Sequence, residues 1–407
     1  MTGEALAPIG ILLVLACLIA MLSRRLGLPY IVGLVVVGLL ITLLPNGPEL
    51  PLSRDLIFNV FLPPLVFEAA LQLEWRRFRN ELPLTLTLAF LGVATAAVTV
   101  AAGMHWLVGW TWIGAALFGV LIAATDPVSV IAAFREMKAE KRLSMVVESE
   151  SLLNDGVAAV GFAILLAVAA GESQGTATSA LSFFWATAGG VVIGVVISGA
   201  ALLIAGRTDD HLIEITLTTL AAYSSFLIAE HFHASGVIAA LSAGLMVGNL
   251  GWGRMIAADD CPFVLSFWEY LAFLVNSLIF ILIGMNAGRL PLRDLGSFTA
   301  AAAIFLVLLG RLVSIYPLAA LFARSRWRLP MPYQHTLFWG GLRGALALAL
   351  ALAVPASVPE RGAIILTAFV VVAFSILVQG LTMPLLLKRF DLSDLADQSA
   401  SRTQSEG

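Results

Sequence analysis

The chain has 407 residues, 60% of them hydrophobic and only 12% charged, against roughly half and a quarter in soluble domains, and its mean hydropathy is +0.96. That balance excludes a water-soluble fold. A net charge of -3, with the basic residues in short clusters between apolar runs, gives no support to nucleic-acid binding. Cys17 inside an apolar run and Cys261 in a predicted loop suggest neither a disulfide framework nor a thiolate metal site.

A helix needs about 20 apolar residues to cross the hydrocarbon, and about thirteen segments qualify. The first, 5–22, lacks the basic start of a signal peptide, since Arg24 and Arg25 follow it, and is read as a span. The others are 28–44, 54–73, 82–104, 110–134, 144–170, 180–205, 211–229, 235–250, 266–286, 298–323, 334–353 and 362–387. With the N-terminus outside, the loops holding Arg24/Arg25, Arg76/Arg77/Arg79, Arg135/Lys138/Lys141/Arg142, Arg207, Arg254, Arg324/Arg326/Arg328 and Lys388/Arg389 all face the cytoplasm. Only Arg54, Arg289, Arg293 and Arg361 face out, an asymmetry that fits an odd number of spans in a cell membrane. Residues 1–390 are expected to form one transmembrane domain and 391–407 a short cytoplasmic tail, so regulation by a large tail is not expected.

An odd count permits two inverted repeats of about six helices, 1–170 and 211–387, joined by a linker helix at 180–205. Each repeat has a helix breaker beside a charge in its fifth segment: Thr125-Asp126-Pro127 and Gly340-Gly341-Leu342-Arg343-Gly344. Both segments are expected to unwind where they line a cavity, giving two crossed broken helices; ordinary kinks are the alternative. Glu68, Asp126, Asp155, Arg311 and Arg343, with Glu150, carry charge toward the bilayer centre. Each such residue costs about 2.5 to 3.5 kcal/mol there unless it is paired or lies on an ion path. Structural pairing is the better reading for the arginines. In Glu148-Ser-Glu-Ser-Leu-Leu-Asn-Asp-Gly156, Ser151 and Asp155 share one helix face, and Glu150 and Asn154 share the next. Ser151 and Asp155 offer oxygen ligands to a hard cation; Glu150 and Asn154 can bond each other and an arginine.

The strings Phe61-Leu-Pro-Pro-Leu-Val-Phe-Glu68-Ala-Ala70, Thr125-Asp-Pro-Val-Ser129, Glu150-Ser-Leu-Leu-Asn-Asp-Gly156 and Gly341-Leu-Arg-Gly-Ala-Leu-Ala-Leu348 resemble those of the NhaP-type sodium/proton exchangers, the electroneutral branch of the monovalent cation:proton antiporters. The resemblance implies an all-α membrane protein of thirteen spans, with a mobile core domain holding the crossed helices and a static dimerisation domain. It implies a homodimer, a role in pH homeostasis, a prokaryotic source and no cofactor. By motif, Asp155 is the shared Na⁺ and proton carboxylate, and Glu68, Ser151 and Thr125 complete the metal shell. Asn154 and Glu150 support it, Arg311 pairs with Glu150, and Asp126 and Arg343 compensate the helix ends at the crossing and pair with each other.

Competition of Na⁺ and H⁺ for one buried carboxylate produces exchange if the empty charged site crosses poorly. With Asn154 preceding Asp155, the site has one titratable group, so one cation exchanges for one proton, electroneutrally, unless a second proton rides on Glu68. Na⁺ is the expected cation and Li⁺ the next candidate, since one sequence does not fix the ligand distances that separate them. K⁺/H⁺ exchange and an ion channel are the alternatives. The motifs of an intramembrane hydrolase are absent from the sequence, so no enzyme activity is expected. Glu230-His231-Phe-His233 could form a metal pair, although histidines at a helix end are usually solvated.

Overall fold

The computed structural model describes residues 3–392 apart from 27–28, 44–51, 129, 132–133, 135–138, 172–175, 209, 252–255, 257–259, 290, 292–294 and 391. Ser129, Arg135, Lys138, Arg254, Arg293, part of the 171–179 connector and all of the 391–407 tail but Leu392 lie outside the described residues.

The described chain is nearly all helix. In order, the helices are α1 (Gly3–Leu26), α2 (Tyr30–Ile41), α3 (Arg54–Gln72), α4 (Trp75–Val108), α5 (Trp112–Leu121), α6 (Lys141–Ala169), α7 (Thr176–Ala205), α8 (His211–His231), α9 (Gly236–Gly251), α10 (Cys261–Arg289), α11 (Ser297–Leu321), α12 (Met331–Trp339), α13 (Ala345–Ala353) and α14 (Arg361–Arg389). Among the described residues, eight helices are long and apolar enough to cross a membrane. Four contain a π-helical turn: Ile57–Phe61 in α3, Met104–Val108 in α4, Val247–Gly251 in α9 and Ser375–Gly380 in α14.

Several boundaries differ from the sequence reading: α1 runs on through Arg24 and Arg25 to Leu26, and α6 starts at Lys141 and not at 144, so these basic residues lie on helices. Helix α4 starts at Trp75 and not at 82, so Arg76, Arg77 and Arg79, expected in a loop, lie on its first turns. Arginine is a good helix former, and these side chains are exposed while Phe78 between them is buried, so an amphipathic turn extends the helix beyond its apolar run. Cys261, also expected in a loop, is the first residue of α10.

Contacts sort the helices into two groups. In one, α4 packs on α5, α6 and α11, α13 on α5 and α14, and α12 on α11 and α14; in the other, α2 packs on α10, α7 on α8 and α9, and α9 on α3. At the arginine-rich end of the first group, Arg142 Nε and Nη2 donate to the Glu81 carboxylate at 2.8 and 3.1 Å, and Trp327 Nε1 donates to Asn80 C=O at 2.7 Å. These bonds tie α4, α6 and the α11–α12 connection together.

Helices in lipid gain nothing from excluding water, so close backbone approach supplies the packing. A Cβ on Gly38 would meet the Gly284 Cα at 2.9 Å, and one on Gly284 would press into the Val35 carbonyl. Helices α2 and α10 therefore touch through their backbones at this pair. Gly284→Val is expected to lower stability by about 1–3 kcal/mol, the usual cost of overpacking, read as a lower melting temperature of the purified protein. Gly362→Ala, where nothing lies within 4 Å of the added atom, is the control and should melt unchanged.

Candidate functional site

The site is built around two helices that stop inside the protein. Helix α5 ends at Leu121, residues 124–127 run without helical bonds, and the chain turns helical again from Val128. Likewise α12 ends at Trp339 and α13 starts at Ala345, with residues 341–344 irregular between them. The two stretches meet where Asp126 N–H donates to Leu342 C=O at 2.8 Å. A helix end leaves several backbone groups without partners, and in a membrane interior these must be satisfied by protein.

Side chains do much of that work. Asp126 Oδ1 accepts from Val128 N–H at 3.0 Å, an acid placed at the start of the resumed helix. Beyond the end of α12, Arg343 Nη1 donates to Gly341 C=O at 3.1 Å, a cation where carbonyl dipoles converge. Arg311 Nε and Nη2 donate to Leu337 C=O at 3.1 and 3.0 Å, and Gln379 Nε2 to Trp339 C=O at 3.1 Å. A side chain on Gly341 would collide with Arg311, and one on Gly344 with the Asp126 carboxylate.

The expected Asp126–Arg343 ion pair is not formed: among the described residues, no acid lies within ion-pair distance of Arg343, and its Nε is buried without a hydrogen bond. Each charge instead serves its nearest helix end, whose rigid backbone groups are better placed than a side chain across the crossing. The acids electrostatically coupled to Arg343 are Glu150 and Asp155.

From α6, Asn154 Oδ1 accepts from Thr125 N–H at 3.2 Å, and its Nδ2 donates to Thr125 Oγ1 at 2.5 Å and to Glu150 Oε1 at 3.2 Å. Ser151 Oγ lies 3.0 Å from Thr125 Oγ1. Arg311 Nη1 and Nη2 clamp Glu150 Oε1 and Oε2 at 2.7 and 3.0 Å. Glu150 is 1% exposed and Arg311 6%, so this acid is neutralised and sealed from water.

Asp155, one turn from Ser151, is different. It is only partly buried, and among the described residues it makes no ion pair. It lines a cavity of about 70 Å³ with Thr125 and Asp126 of the first break, Gly344 of the second, Leu65 and Ala69 of α3 and Asn276 of α10, space for a few waters. The cavity thus lies at the boundary of the two helix groups. Of the predicted shell, Asp155 and Thr125 face it and Ser151 stands behind Thr125. Glu68 is not among its lining residues and accepts a hydrogen bond from Gln72 one turn along α3.

Three residues escaped the sequence reading. Ser375 accepts from Arg343 N–H at 3.0 Å and donates to Arg343 C=O at 3.2 Å, bracketing the second break. Ser375 and Gln379 stand four apart in the π turn of α14, and Asn276 lies mid-way along α10. Their signal was the one used for α6, polar residues inside an apolar segment, without a formal charge to draw attention.

Residues 11–389 match the model of the sodium/hydrogen exchanger transmembrane family. The chain belongs to this family. It is 38% identical to the Na⁺/H⁺ antiporter ApNhaP of Aphanothece halophytica, across 93% of this chain and 72% of that one. Identity is 40% to the low-affinity Na⁺/H⁺ antiporter NhaS1 of Synechocystis, across 90% and 70%. The structure of the sodium proton antiporter MjNhaP1 from Methanocaldococcus jannaschii superposes with a TM-score of 0.74 at 20% identity, covering 96% of this chain and 99% of that one, so the exchanger fold is shared. The protein is a multi-pass membrane protein of this exchanger family.

The Glu150–Arg311 clamp generates a stability prediction. Arg311→Met strands a sealed carboxylate, and breaking such a pair typically costs about 3–5 kcal/mol. The melting temperature of purified Arg311→Met should fall sharply, and adding Glu150→Met should recover part of the loss. A double variant less stable than either single would show that the clamp is not the source.

Proposed function

We propose that this protein is a secondary active antiporter that exchanges Na⁺, and Li⁺ next, for H⁺ across the cell membrane, one for one, with Asp155 carrying either ion in turn. The observation that carries the reading is the division of labour on α6. Glu150 is neutralised by Arg311, which leaves Asp155 the acid of α6 that faces a cavity between two helix groups, with Asp126 in the same lining engaged with Val128 N–H. The similarity to ApNhaP and NhaS1, both Na⁺/H⁺ antiporters, favours the same substrates.

In this reading the cation is held by the Asp155 carboxylate, Ser151 Oγ and oxygens of Thr125, with Asn154 and Glu150 fixing Thr125 in place. Glu68 joins the shell when α3 and α6 shift relative to each other, since here it is engaged with Gln72. The group of α4–α6 and α11–α14 is the moving core, and the other group is the stationary part through which two copies form a homodimer. A cation and a proton cannot share one carboxylate, and the empty charged site crosses poorly through the apolar layers on either side. Each reorientation therefore carries one passenger, and no cofactor takes part. N-terminus outside and C-terminus inside is the orientation that the basic clusters favour.

Asp155→Asn should abolish Na⁺-driven proton movement in proteoliposomes while leaving the melting temperature near that of the unaltered protein; full activity in this variant removes the assignment. In the unaltered protein, lowering pH on one side should raise the apparent KM for Na⁺ on that side with the maximal rate unchanged. Proton inhibition that lowers the maximal rate instead would speak against a shared site. An imposed membrane potential should leave the exchange rate unaltered, and a clear voltage response refutes the one-for-one ratio. Sodium-driven proton uptake against a gradient separates exchange from a channel, and K⁺ in place of Na⁺ tests the K⁺/H⁺ reading.

A further inference from the structure

A second, larger cavity of about 490 Å³ lies on the side of Asp155 away from the Arg142–Glu81 end of α6. Its lining overlaps in helices with the Asp155 cavity, and on three of them the step between the two is about one turn. The pairs are Leu62 and Phe58 on α3, Asp155 and Ala159 on α6, and Ala347 and Leu350 on α13. At 1.5 Å per residue, an apolar layer of about 6 Å separates them. The mouth of the larger cavity carries Arg54, Glu230 and His233, with Ser182 and Ser235. Arg54, and His233 when it carries a proton, are the cations whose fields reach the Glu230 carboxylate. Glu230 Oε1 also accepts from Gly236 N–H at 3.0 Å. The turn holding these groups is pinned to α7, with Ser235 N–H donating to Ala186 C=O at 2.9 Å and Trp185 Nε1 to Phe232 C=O at 3.1 Å. His233 is held at φ +56°, a strained value for a non-glycine residue.

We infer that this cavity is the outer vestibule of the exchanger and that Glu230 is a cation-gathering site at its mouth, opposed by Arg54 and by His233 when protonated. The inference rests on Asp155 being the carrier below. A carboxylate in a cleft with low-dielectric walls concentrates monovalent cations, and the apolar layer beneath is thin enough for a small shift of α3 against α6 and α13 to join the two cavities. Arg54 in the same mouth sets the field near balance, so removing either charge tips it in opposite directions.

The test uses full-length protein in oriented proteoliposomes at low ionic strength, titrating Na⁺ on the Glu230 face and on the opposite face. Glu230→Gln, which keeps an oxygen to accept from Gly236, should raise the apparent KM on its own face by about threefold to tenfold, and Arg54→Gln should lower it. Both effects should shrink in high salt, where the screening length falls to about 3 Å, and KM on the opposite face should stay put. Equal shifts on both faces, shifts of the same sign, or none would overturn the inference. A readout independent of transport uses Ser182→Cys with Cys17 and Cys261 replaced by serine, labelled with a cationic and a neutral thiol reagent of equal size. The cationic-to-neutral rate ratio should fall about threefold to tenfold on adding Glu230→Gln; an unchanged ratio sinks the vestibule site. Unaltered protein that moves no Na⁺ against protons while the labelling ratio still responds to Glu230 would instead remove the antiport reading alone.

Discussion

Everything at the centre of this protein depends on how two interrupted helices satisfy their own ends. Breaking a helix inside a membrane exposes backbone groups that lipid cannot bond, and each one left bare costs several kcal/mol. Here the two breaks lean on each other through Asp126 N–H and Leu342 C=O, and at the second break Arg311, Arg343 and Gln379 take the carbonyls of Leu337, Gly341 and Trp339. Ser375 closes both backbone groups of Arg343. The charges that looked anomalous in apolar segments are mostly the consequence of this need. They hold an irregular stretch of chain beside α6, where Thr125 and Asp126 of the first break and Gly344 of the second line the same cavity as Asp155.

That arrangement also separates the two acids of α6. Glu150 and Asp155 are five residues apart on one helix and of identical formal charge, yet one is clamped by a bidentate guanidinium and the other faces a cavity. Asn154 links the two environments, bonding Glu150 on one side and both the backbone and hydroxyl of Thr125 on the other. The clamp therefore reaches Thr125 through Asn154, so the buried ion pair and the first helix break belong to one hydrogen-bond network.

The cavity lies at the boundary of the two helix groups. One group contributes the breaks, α6 and α13; the other contributes α3 and α10. Within the first group, Arg142 and Trp327 lock α4, α6 and the α11–α12 connection at one end. Within the second, Gly38 and Gly284 bring α2 and α10 into backbone contact. Each group is thus braced internally, and the cavity beside Asp155 is lined by helices of both.

The amino-acid sequence by itself determined the helical membrane class, because length and hydropathy alone meet the demands of a bilayer, and it located both breaks, because Pro127 and the glycines around Arg343 act on their own backbone. It also determined that Asn154 and Glu150 share a face, a matter of helical period. What tertiary structure decided was which partners the charges take across helices. Asp126 and Arg343 look complementary in sequence, but each is drawn to the nearer helix end, and Glu68, four motifs' company notwithstanding, turns to Gln72. Ser375, Gln379 and Asn276 acquire their positions only when α14 and α10 fold against the breaks. Such distances arise between residues up to hundreds of positions apart, and local pattern holds no information about angles at which helices cross.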